Sequence, residues 1–258
     1  FGATDGAEIS DLIINDADIS ASANAGVLVG RSINTTIKNV TVNNSKVTTT
    51  QAGSVAGGLV GVGQSTIIED VTLNSVEVST TLDSTSATLE TAGGVAGVYD
   101  GLVRNAVLND VTVISGTVGG GVIGAVKAEP ANVIGVYVQA NVKAQIAVGV
   151  AGRISAPQKL SVKEVTVSGK VEGSEISAGI VGQITSDSED DAFNKLNRPF
   201  VKDSVVAASV GGNGIRATVI GEVSENIAVD KENKDNNVFS GVFYSSYQND
   251  IGAFGAEK

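Results

Sequence analysis

The sequence predicts an all-β chain folded as a right-handed parallel β-helix of about eight coils, with three short strands per coil. Three observations predict it. A glycine-bounded apolar motif recurs about every 30 residues. A β-branched motif punctuated by Asn or Asp follows each glycine motif. The composition is rich in aliphatic residues and Gly but only 4% aromatic, which suits narrow stacked strands better than a globular core filled by large rings.

The glycine motif occupies residues 26–30 (GVLVG), 57–61 (GGLVG), 93–97 (GGVAG), 120–124 (GGVIG), 149–152 (GVAG) and 179–182 (GIVG). Two later glycines, Gly221 and Gly255, close weaker copies, and Phe1-Gly2 resembles the tail of another. Closing glycines stand at Gly30, Gly61, Gly97, Gly124, Gly152, Gly182, Gly221 and Gly255, with intervals of 31, 36, 27, 28, 30, 39 and 34. A period near 30 with uneven insertions belongs to a solenoid whose loops vary in length. No glycine cluster has the Lys-Ser/Thr ending of a phosphate loop, so tight backbone packing is the reading of these glycines.

The second motif fits residues 9–19, 37–47, 68–78 and 103–113 without a gap. Its third place is Asp11, Asn39, Asp70 or Asn105; its seventh is Asn15, Asn43, Asn74 or Asn109. Residues 133–142, 162–171 and 201–210 carry a version shortened by one residue, with Gly135, Glu164 and Asp203 in third place. An eighth copy runs through Asn226, Ile227 and Val229. Val40 and Val42 alternate with Thr41, so the valines face one side of a strand and Thr41 the other. The polar residue at Asn39 breaks the alternation with Ile37, and Asn and Asp tolerate left-handed backbone angles, so a corner falls there. Asn15, Asn43, Asn74 and Asn109 are expected to stack as structural corner asparagines that bond along the axis. One coil alone buries too little to fold, so the coils must stack.

One domain spans 1–258: regular coils over 1–182, an inserted acidic loop over 183–200, and the last coils with a C-terminal cap over 201–258. A net charge of −11 argues against nucleic acid, whose phosphates need clustered Lys and Arg, and no apolar run is long enough for a membrane helix. Cysteine and histidine are both absent. Disulfides, thiolate or imidazole metal sites, and serine or cysteine nucleophiles with a histidine base therefore drop out. Methionine is absent too and the chain begins at Phe1, which reads as a processed or excised piece of a longer chain.

Asp187, Glu189, Asp190 and Asp191 place four carboxylates in five residues, an oxygen-rich set of the kind calcium takes. The spacing is not that of an EF-hand, and a solvated acidic loop is the plainer reading. The polar run 230–237 reads as an exposed loop. Phe200, Phe239, Phe243, Tyr244, Tyr247 and Phe254 gather late in the chain, either as a plug for the end of the core or as a sugar-stacking platform. No catalytic residue and no cofactor site is identified: Asp11, Asp70 and Asp203 share a repeat position, but Asn39, Asn105 and Gly135 interrupt them, and the five arginines share none. Thr41, Thr72, Thr112 and Thr166 hint at a threonine column of the kind ice-binding solenoids need, broken by Ile13, Tyr137 and Ala228.

The paired motif, as in residues 57–73 (GGLVGVGQSTIIEDVTL), resembles the GLUG repeat. That repeat is found in large bacterial adhesins and beside the catalytic domain of immunoglobulin A protease-like zinc metalloproteases. The resemblance implies an exported, cell-surface or cell-wall setting. It implies a non-enzymatic extracellular module, acting as adhesin, spacer or substrate-recognition region, whose partner is a host or surface protein or a glycan. A carbohydrate-active or carbohydrate-binding β-helix is the alternative, and an ice- or surface-binding solenoid the next.

Overall fold

The computed structural model describes residues 1–80, 89–127, 130–155, 160–185 and 200–223, together with the backbone of Phe239–Ser240, Phe243–Tyr244 and Phe254–Glu257. Every strand pairing in it is parallel. Partners are always one repeat apart in sequence, and no helix is present among the described residues. The molecule is a parallel β-helix.

Register follows the repeat. Val29 pairs with Val60, Val60 with Ala96, Ala96 with Ile123, Ile123 with Ala151, Ala151 with Val181, Val181 with Ile220, and Ile220 with Phe254. Each of these residues immediately precedes a closing glycine, so the uneven sequence intervals are absorbed between strands and never shift the ladder. The 68–78 and 103–113 segments lie side by side, with Val103 against Ile68 and Leu108 against Leu73.

Inward columns make a continuous aliphatic core. Val42, Leu73, Leu108, Val138 and Val167 stack on one face, and Val47, Val78, Val113, Val142 and Val171 on the next; all are at most 2% exposed. The wall that carries the first column bends just ahead of it, at the third place of the second motif. Asp11, Asn39, Asp70, Asn105, Gly135, Glu164 and Asp203 all have φ between 49° and 65°. That left-handed residue leaves Lys38 and Asn39 both outside while Ile37 and Val40 both point in.

The winding 29–57 comprises Val29–Ile33, Thr36–Asn43, Lys46–Thr49 and Val55–Gly57. The chain bends within the Gly-apolar-apolar-Gly motif, between a three-residue strand and the next wall. At the bend Gly58, Gly94, Gly121, Gly149 and Gly179 lie under one another so closely that a Cβ on Gly94 would sit 2.0 Å from the Gly121 carbonyl oxygen.

The bend also makes a second apolar cluster outside the main core. Gly119 points inward, since a Cβ there would meet Val142, Ala144 and Val113. Its neighbour Val118 therefore points out, yet it is fully buried, packed with Ile146, Val148, Ile176, Ala178 and Ala217. These side chains fold back onto the closing glycines: a Cβ on Gly152 would be 2.4 Å from Val118 Cγ1, and one on Gly221 2.4 Å from Ile176 Cγ2. The closing glycine is conserved through the repeat of this chain because the reentrant angle leaves no room for a side chain.

Candidate functional site

The shared register turns each outward position into a row running along the axis. The row of seventh-place asparagines is a hydrogen-bonded ladder. Asn43 Nδ2 donates to Asn15 Oδ1 at 2.8 Å, Asn74 to Asn43 at 2.8 Å, and Asn109 to Asn74 at 2.9 Å. Asn15, Asn43 and Asn74 end their strands, Asn109 lies within the strand Ala96–Ile114, and in all four the left-handed turn falls on the following residue: Asp16, Asn44, Ser75 or Asp110. The ladder stops at Asn109 for a local reason. In the shortened motif Asn109 and Asp110 face only Gln139, and the register slips between Leu108 and Val111.

Over its first four windings the third-place row alternates acid and amide. Asn39 Nδ2 donates to Asp11 Oδ1 at 2.6 Å and Asn105 Nδ2 to Asp70 Oδ1 at 3.1 Å. The Asn39 amide first, and the Ser10 hydroxyl second, hold the Asp11 carboxyl below the usual carboxylate range. Further along, Glu164 and Asp203 stand on successive windings, each beside its own lysine: Lys163 at 2.9 Å and Lys202 at 3.8 Å. The Glu164 contact raises the Lys163 pKa. These are exposed corners, where such pairs add little to stability. Other charges pair across windings, as in Lys46 with Glu77 at 2.8 Å and Arg104 with Glu69 at 2.5 Å.

Between these two polar rows runs a row of Ile13, Thr41, Thr72, Val107, Tyr137, Thr166 and Val205. It is the exposed apolar feature of this wall: Ile13 is 72% exposed, Tyr137 40%, Val205 39% and Val107 36%. Thr112 does not belong to it. Thr112 lies on the next wall, opposite Glu77 and Asn141, and Val107 takes the place beside Thr72. The cause is the left-handed corner at Asp110, which separates the two walls and carries Thr112 past the bend.

A shallow groove of about 760 Å³ crosses the corner after that next wall. Lys143, Gln145, Glu172, Ser174 and Asn213 line it. Glu172 is tied to Lys170 at 2.7 Å. Sequence reading missed this groove because its residues share no motif; the stacking of four short segments from successive windings brings them together.

No protein family, curated protein or solved structure matches the chain.

Asp187, Glu189, Asp190 and Asp191 lie outside the described residues, as do Asn226, Ile227, Val229, Tyr247 and the run 230–237. Among the described residues no group of three or more Asp or Glu gathers as a cation site would need. Phe200 is 40% exposed on the outer surface, not in the core. Tyr99 is the aromatic that the core does use. It is fully buried, and its hydroxyl donates to the carbonyl oxygens of Thr66 at 2.5 Å and Leu102 at 2.8 Å. It fits because Gly63, its neighbour one winding earlier, leaves space for the ring.

Proposed function

We propose that the chain is a non-enzymatic extracellular repeat module of a bacterial surface or secreted protein, and that it binds a neutral glycan along the row from Ile13 to Val205. The observation that carries this reading is the exposed apolar row itself. A Tyr ring with β-branched neighbours in register offers a flat face for the apolar side of a sugar. The amides and carboxylates of the flanking rows offer acceptors and donors for hydroxyls at the strand spacing of about 4.8 Å. The likeness of residues 57–73 to the GLUG repeat supports the surface setting.

Binding of the whole chain to an array of neutral oligosaccharides tests the reading. The bound sugars should lose about tenfold in affinity with Tyr137→Ala, the cost expected for one aromatic stacking contact. Binding indifferent to Tyr137→Ala would move recognition off this face, and retention of a protein ligand alone would overturn the glycan assignment. Cleavage of a polysaccharide that disappears in Glu164→Gln would make the chain an enzyme.

A further inference from the structure

The geometry points to an oxyanion-binding site built from Arg153 and Lys127, which takes a single carboxylate or sulfate group on an otherwise neutral ligand. Arg153 sits in Ala151–Ser155, with Ala125 and Gln183 as its neighbours on adjacent windings. Its Nε is buried and has no hydrogen-bond acceptor, the one such side-chain atom among the described residues. A buried donor without an acceptor is costly, and a bound anion is one way such a group is satisfied.

Lys127 lies beside it. It follows Val126, which pairs with Ile154, the residue after Arg153. Lys127 keeps solvent contact, yet its ammonium is held below the usual lysine value, by partial burial first and by the Arg153 charge second. Two cations therefore stand on adjacent windings, close enough to repel, in a chain of net charge −11, and neither forms an ion pair among the described residues. The row that holds Arg153 supplies no counter-charge close by. Val98 and Ala125 precede it, and Gln183 follows. Glu222 comes two windings on, about 10 Å away by strand spacing. There it accepts from Gln183 Nε2 at 3.3 Å.

A guanidinium fork with an adjacent ammonium matches one oxyanion. The field of the whole chain repels polyanions, which selects for an isolated charge. This site lies on the wall before the glycan face and does not depend on it.

Titration of the intact chain with sodium sulfate and with sodium acetate, against sodium chloride at constant ionic strength, tests the site through the side-chain NMR signals of Arg153 and Lys127. Saturable shifts are expected, with affinity weakened about tenfold in Arg153→Gln and in Lys127→Gln, and less in Arg153→Lys. Should Arg153→Gln fail to fold, the exposed Lys127→Gln carries the test. A response that never saturates, or that survives Lys127→Gln unchanged, overturns the site. A chain with Asp187, Glu189, Asp190 and Asp191 changed to their amides separates the sources of the oxyanion. Binding that appears only in that chain would mean its own carboxylates fill the site, and would overturn an external ligand.

Discussion

At the scale of single residues, the chain places a few unusual side chains where the backbone or the core leaves no alternative. Seven third-place residues adopt left-handed angles, and six of them are not glycine. Asp and Asn fill most of these places because a short polar side chain lowers the cost of that conformation, about 1–2 kcal/mol for other residues. Tyr99 is the other case. Burial first, and the Asp100 charge second, push its phenol well above the ordinary tyrosine value. The folded pKa is raised, so the associated stability is fully present below the unfolded value near 10 and is lost as pH climbs toward the folded one. Urea midpoints of the wild type should therefore fall above about pH 10, and Tyr99→Phe should flatten that fall. At neutral pH the same variant should be destabilised by about 1–3 kcal/mol, since the buried Thr66 carbonyl and the partly buried Leu102 carbonyl lose the one proton they share.

At the scale of elements, the Gly-apolar-apolar-Gly motif is a bend whose two ends serve different spaces. Its opening glycine lies against the same residue of the next winding, and its closing glycine receives the folded-back side chains of the outer cluster. Gly94→Ala should cost roughly 3 kcal/mol, the upper end of overpacking penalties, because the new methyl meets a carbonyl oxygen that cannot move. Gly2→Ala occupies the closing position at the end of the column, where nothing lies within 4 Å, and should change stability by less than about 0.5 kcal/mol. Equal effects in thermal unfolding would contradict the packing role of the bend.

At the scale of the whole molecule, each winding contacts its neighbours alone, so stability is a sum along one axis. Glu8–Asn15 and Asp18–Ala21 pair on one side only, with Thr36–Asn43 and Lys46–Thr49. Their inward Leu12, Ile14 and Ile19 are only partly buried, whereas Val40, Val42 and Val47 one winding on are at most 1% exposed. Hydrogen exchange should accordingly be graded, with amides of 8–21 exchanging at least about tenfold faster than those of 60–74. Uniform protection would show a single cooperative block and sink the additive picture.

The winding follows from local sequence constraints. Repeated β-branched alternation, Asn and Asp at fixed places and glycines at matching intervals are local constraints, and stacking identical windings leaves one register that buries Val and Ile together. The Asn15 to Asn109 ladder was legible for that reason. What the rows of different windings share emerges from the assembled fold. The outer cluster around Val118, the transfer of Thr112 to another wall, the corner groove at Lys143 and the meeting of Lys127 with Arg153 each depend on how far one bend or loop displaces the next strand. A one-residue slip exchanges inside for outside, and loops of unequal length conceal that slip until the strands are paired.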